Sequence, residues 1–93
     1  MLNKSRMIEL YRDAFNVPKG DAEQTLDWFF DTIRDELVGG GEANFRGFGS
    51  IKTKRRPARL GTNPRTGQAI RVEARTAVIF KPGRELLAQV QRP

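Results

Sequence analysis

Residues 47–67 read G-F-G-S-I-K-T-K-R-R-P-A-R-L-G-T-N-P-R-T-G, and the rest of the chain is organised around them. The stretch opens as a strand, with Phe48 and Ile51 as apolar positions, and then the apolar alternation stops. The chain continues as a cationic ribbon carrying Lys52, Lys54, Arg55, Arg56, Arg59 and Arg65, with an Asn63-Pro64 turn bracketed by Gly61 and Gly67. It returns through Ile70, Val72 and Ala74 to Ala77–Phe80, an apolar run that rejoins the sheet. Two such strands are not stable alone in water, and this pair cannot bury its own surface. Its partner is therefore expected to be a long anion.

Outward from the ribbon, the N-terminal half reads as helical. Asn3 suits the N-cap of a helix over residues 4–15, where Met7, Leu10, Tyr11 and Ala14 form one apolar stripe. Asn16-Val17-Pro18 breaks it. A second helix runs to about Val38, either with Pro18 in its first turn or with Asp21 as cap and Gln24 as its capping-box partner. Ala22, Leu26, Phe29, Phe30, Ile33 and Leu37 share a narrow arc and are expected to be core. Trp28 falls on the opposite side among Gln24, Asp31 and Asp35; cover by the first helix or by a partner chain is favoured over a binding role. Gly39-Gly40-Gly41 ends the helix, Ala43 and Phe45 give a short strand, and Gly47 a turn. Pro82 suits the first position of a last helix carrying Leu86, Leu87 and Val90. The fold class is α+β: a helical hairpin body, a small antiparallel sheet with a long protruding β-ribbon arm, and a short C-terminal helix. Residues 1–93 form one domain, divided into a helical body (1–45), sheet and arm (46–80) and C-terminal helix (81–93).

Composition narrows the chemistry. The 93 residues contain neither cysteine nor histidine, which removes disulfides, thiolate metal sites and the commonest general base. No apolar run is long enough for a membrane span or signal peptide, so a cytoplasmic setting is expected. The net charge of +6 hides an asymmetry: residues 1–42 hold five cations and nine acids, whereas residues 43–93 hold twelve cations and only Glu73 and Glu85. Halves at −4 and +10 make a directed field, of the kind that steers a protein onto a polyanion.

That polyanion is read as duplex DNA. The arm favours arginine (Arg55, Arg56, Arg59, Arg65, Arg71, Arg75), whose planar fork takes phosphate bidentately and whose weak hydration lets it enter grooves; simple solubility of a strand edge does not need it. Alternation puts Lys52, Lys54 and Arg56 on one face and Arg55 and Arg59 on the other. Pro64 is rigid, without an N–H, and at the extreme tip, as an intercalating wedge in the minor groove requires, with Asn63 beside it able to donate to groove acceptors. Taken locally, the same residues are an ordinary turn signal. Lys4 with Ser5, and Lys81, are placed at helix starts where unpaired N–H groups favour anions, or else in ordinary first turns.

The spaced pattern Phe48-x-x-Ile51, Arg56, Arg59, Gly61, Asn63-Pro64-x-Thr66-Gly67, with Gly47-Phe48-Gly49 before it and Phe80-Lys81-Pro82-Gly83 after it, resembles the bacterial HU and integration host factor family of DNA-bending proteins. The resemblance covers essentially the whole chain. It implies an intertwined dimer whose two arms wrap and bend the duplex, with Pro64 intercalating, arm cations at Lys54, Arg56, Arg59 and Arg75, and phosphate contacts from Lys4, Gly47, Gly49 and Lys81. Arg46, Lys52, Arg55, Asn63, Arg65 and Arg71 complete the candidate DNA-binding set. The dimer core is expected at Leu26, Phe29, Phe30, Ile33, Leu37, Phe45, Phe48 and Phe80. Thr62 stands where the family usually has Arg, and Ile51 where it has Phe; the Pro18-Lys19-Gly20 entry, the triple glycine and Trp28 are also unusual and mark a divergent, phage or specialised member.

The expected function is nucleoid-associated, architectural DNA binding with little sequence preference, by a homodimer or a heterodimer with a paralogue. The alternatives are a subunit of a site-specific bending dimer and, less favoured, an RNA-binding module, against which stands the ribbon's lack of Phe, Tyr and Trp for stacking bases. Asp27, Asp31 and Asp35 form the one carboxylate array, read as a solvated face rather than a cation site. No enzyme activity, cofactor, metal or membrane partner is expected.

Overall fold

The computed structural model describes residues 1–92. Helix α1, Lys4–Phe15, begins after Asn3, whose Oδ1 accepts the Arg6 N–H at 2.8 Å and so satisfies one unpaired donor of the first turn. It ends at Asn16, which takes the left-handed conformation (φ 53°) while its N–H donates to the Arg12 carbonyl at 2.7 Å. Helix α2, Lys19–Val38, starts behind Pro18, whose carbonyl accepts the Ala22 N–H at 3.0 Å. Pro18 therefore stands just ahead of the first turn rather than in it. Asp21 lies inside that turn, where its charge complements the helix dipole, and is not the cap.

The chain divides into two compact units, Met1–Glu36 and a second beginning at Leu37. Ile8 and Ala22 are the buried hydrophobic side chains among the described residues, both in the first unit. Of the α2 arc expected to be core, Ala22 is fully buried and Leu26, Ile33 and Leu37 are half-buried, while in the single chain Phe29 and Phe30 are 52% and 51% exposed. Trp28 is 63% exposed, its ring edge-on to Phe29 at 5.2 Å, so α1 does not cover it either.

The second unit is built on three antiparallel strands in the order β1-β2-β5: β1 Ala43–Phe45, β2 Gly49–Arg56 and β5 Arg75–Pro82. A separate two-stranded ladder is formed by β3 Arg59–Thr62 and β4 Ala69–Val72, and α3, Arg84–Gln91, closes the described chain. Pro82 ends β5 opposite Gly49 instead of opening α3, and Lys81 is a strand residue opposite Ser50. The Gly83 N–H donates to the Phe48 carbonyl at 2.8 Å, which holds the chain extended until the helix starts one residue later. At Gly49 a Cβ would lie 2.6 Å from the Lys81 carbonyl oxygen and 2.8 Å from the Phe80 ring, so β2 and β5 approach there as closely as only glycine allows. These elements make up the expected α+β fold of helical hairpin, small antiparallel sheet, ribbon and C-terminal helix.

Candidate nucleic-acid interface

Register sorts the side chains of the sheet into two unlike faces. Residues directly opposite across an antiparallel pair share a face, and faces alternate along each strand. Ala43, Phe45, Ile51 and Thr53 lie on one face with Val78 and Phe80. Ser50, Lys52, Lys54 and Arg56 lie on the other with Arg75, Ala77, Ile79 and Lys81. The second face is therefore a row of cations interrupted only by small or apolar residues, and the first is an apolar plate. Arg55 projects on the apolar side opposite Thr76, at the end where that plate gives way to the arm.

The arm is not one continuous ribbon. The β2–β5 ladder stops at Arg56 and Arg75, and pairing resumes only at Arg59 and Val72. Pro57, which has no N–H, lies in the gap on one side and Glu73-Ala74 on the other. The gap leaves a recess of about 380 Å³ between Arg56, Pro57, Arg59, Val72, Glu73 and Arg75. Arg59 consequently belongs to a second ladder, and its face is set by the register of β3 and β4 rather than by alternation from Arg55. There Arg59, Gly61, Ile70 and Val72 share one face; Leu60, Thr62, Ala69 and Arg71 share the other.

At the tip, the Asn63 N–H donates to the Gln68 carbonyl at 2.8 Å and the Gly67 N–H to the Asn63 carbonyl at 2.8 Å, with Gly67 at φ 72°. Asn63 Oδ1 accepts the Arg65 N–H at 2.9 Å. Asn63 thus builds the turn that presents Pro64, and its side-chain amide nitrogen remains free of protein partners among the described residues. Pro64 itself is exposed at the apex.

Ion pairing separates the arm's cations from the others. Among the described residues, the only ion pair in the second unit joins Arg71 Nε to Glu73 Oε1 at 3.3 Å. Among the described residues, Lys52, Lys54, Arg55, Arg56, Arg59, Arg65 and Arg75 have no carboxylate in range. At the base of the sheet, Arg46, Gly47, Gly49 and Lys81 surround a cleft of about 540 Å³ together with Gly83 and Arg84. Arg84 did not stand out in the sequence; its signal was its position immediately after Gly83, at the start of α3. Lys4 is differently placed. Its ammonium is hydrogen-bonded to Asp27, and that bond, aided by the charges of Asp27, Asp31 and Glu23, raises its pKa above the ordinary 10.5. Among the described residues no group of three or more metal-ligating side chains comes together, and no helix is long and apolar enough to cross a membrane.

Residues 2–91 match the family model described as bacterial DNA-binding protein. The chain belongs to that family, the one of HU and integration host factor. Among its relatives, the integration host factor subunit alpha of Xanthomonas campestris pv. campestris (strain B100) is 39% identical over 90 residues, covering 97% of this chain and 91% of the relative. A structure of Anabaena HU co-crystallised with DNA superposes with a TM-score of 0.84 at 27% identity, over 99% of this chain and all of that one. HU from Thermotoga maritima shares the fold at 23% identity, with a TM-score of 0.65 over 97% of this chain and 100% of its own. As a member of the HU and integration host factor family, the chain is an architectural DNA-binding protein and not an enzyme.

Proposed function

We propose that two copies of this chain, or this chain and a paralogue, form a dimer whose two arms follow the minor groove of duplex DNA and bend it, largely without sequence preference. The observation that carries the binding mode is the long row of cations on one face of β2 and β5, running into a ribbon whose charges, Arg71 apart, have no ion-pair partner among the described residues. Lys52, Lys54, Arg56, Arg59, Arg75 and Lys81 neutralise phosphates, and Arg46, Gly47, Gly49 and Arg84 seat one at the base of the sheet. Pro64 enters a base step as an apolar wedge, and the energy of unstacking is offset by the longer wrap that a bent duplex allows. Lys4 contributes only if phosphate displaces Asp27.

Dimerisation is supported by what the single chain leaves uncovered. With Phe29, Phe30, Phe45, Phe48 and Phe80 all exposed, the apolar surface far exceeds what scattered single residues explain. A second copy laid on the α2 arc and the apolar plate of the sheet would cover these residues. Nucleoid association follows from DNA binding of this kind.

A salt-series titration on a random duplex, coupled with a size measurement of the free protein, tests the reading. Each neutralised phosphate contributes a slope of about −0.9 in log K against log salt. A dimer whose affinity falls steeply with salt supports it; a monomer, or an affinity indifferent to salt, overturns it. The 39% identity to integration host factor alpha favours a second reading, a subunit of a site-specific bending dimer. Strong preference for a selected site over random duplex would decide for that one.

A further inference from the structure

The break in the arm brings like charges together. Arg56 and Arg75 are directly opposite at the last rung of the inner ladder, and Arg59, opposite Val72, opens the outer one. Elsewhere on the charged face each rung sets one cation against a small or apolar residue: Lys81 against Ser50, Lys52 against Ile79, Lys54 against Ala77. Like charges directly across an antiparallel pair are destabilising, and here a third lies just beyond the gap. All three arginines line the recess of about 380 Å³, together with Pro57, Val72 and Glu73. Glu73 is the one carboxylate of that lining, and Arg71, outside the lining, holds it at 3.3 Å. Among the described residues, none of the three guanidinium groups has a carboxylate within ion-pair range.

We infer that this recess is a seat for the terminal phosphate of a small molecule, inorganic diphosphate or a nucleoside diphosphate, and that its occupant competes with duplex DNA for the arm. Guanidinium forks take phosphate oxygens bidentately, and three of them, from both strands, can surround a tetrahedral group. A DNA phosphodiester offers two free oxygens and one charge. A terminal phosphate offers three oxygens and up to two charges, the better match to three converging cations. The lining holds no aromatic ring on which a base could stack, so the seat reads phosphate and not nucleoside. Arg71 acts without touching the ligand: its pairing with Glu73 keeps that carboxylate off the three arginines. The competition rests on the arm being the DNA-binding element, as proposed above; the seat itself does not.

Calorimetric titration of the full-length protein with inorganic diphosphate, without DNA and at constant ionic strength, tests this. One site per chain is expected. A nucleoside diphosphate should bind within about twofold of diphosphate, and dimethyl phosphate, a diester, about tenfold or more weakly. Arg59→Gln and Arg75→Gln should each weaken diphosphate binding by about tenfold or more, the loss expected of one charged hydrogen-bonding partner. Arg12→Gln, which removes an exposed charge from α1, should leave it within about twofold. Glu73→Gln should tighten binding, Arg71→Gln weaken it, and the double variant return to the wild-type value; a double variant as weak as Arg71→Gln overturns the positioning role of Arg71. At ten times its dissociation constant, diphosphate should lower duplex affinity by about tenfold in the wild type, and leave the residual affinity of Arg59→Gln unchanged. The inference is overturned if diphosphate does not bind, if dimethyl phosphate binds as well, or if Arg12→Gln loses as much as Arg59→Gln. Duplex binding that stays salt-dependent while diphosphate fails to bind sinks the seat alone and leaves the DNA reading standing.

Discussion

The two units of this chain use positive charge in opposite ways. In the helical unit Lys4 is held by Asp27, Arg6 by Glu9 at 2.9 Å, Lys19 by Glu23 at 4.0 Å, and Arg34 by Asp31 and Asp35 at 3.2 and 3.1 Å. All are exposed pairs of the kind that adds little to stability. In the strand unit twelve cations meet three acids, and only Arg71 is paired among the described residues. Of the helical unit's five cations all but Arg12 find a carboxylate among the described residues; the ribbon leaves its counterions to be supplied from outside. A high pI therefore says less about binding than the count of cations left without a carboxylate neighbour.

The sharpest way to break this contrast is to reverse charge on each side of it. Lys54→Glu with Arg56→Glu should lower duplex affinity by about a hundredfold or more near 0.1 M salt and flatten the salt slope by about two contacts, whereas Arg6→Gln and Arg34→Gln should leave both within about twofold. Equal losses from the two pairs would show that the division of labour does not exist. Next in size is Pro64→Ala, for which the bend angle measured by fluorescence transfer between duplex ends should fall while much of the affinity remains. An unchanged angle removes the wedge. Glu73→Gln should free Arg71 and tighten DNA binding severalfold, with a slope steeper by about one contact. The smallest effect concerns Lys4. Because the folded state raises its pKa, its pairing stabilises the fold fully below 10.5, and that contribution disappears as pH rises through the higher folded value. Thermal melting followed from pH 9 to about 12 should show this small loss in the wild type and not in Asp27→Asn.

Much of the architecture could be read from punctuation. Asn3, Asn16 with Pro18, and the Asn63–Gly67 tip each impose a backbone state that little else in the sequence can override, and the elements between them fall where periodicity places them. The less legible features are those that depend on pairing between distant residues. That Pro82 finishes a strand is set by Gly49 and Phe48 more than thirty residues earlier, and neither has a local signature. The gap at Pro57 was marked by one missing donor, but its counterpart at Glu73-Ala74 had no mark at all. The interface cations were legible as a group because they are consecutive. Their sorting into a charged and an apolar face needed the register, and the exposure of Phe29 and Phe30 in the single chain needed the fold. Lys4 reads from sequence as a phosphate ligand; only the fold shows that an aspartate already holds it.

The close approach at Gly49 has a mechanical consequence. Fifteen residues separate it from Pro64, a reach of at most about 50 Å at the rise of an extended strand. A lever of that length multiplies any error at its root: a tilt of about 5° shifts the far end by about 4 Å, more than half the roughly 6 Å breadth of a minor groove. Adding a single methyl where β2 passes beneath the Phe80 ring would therefore misdirect the apex without touching any residue on it.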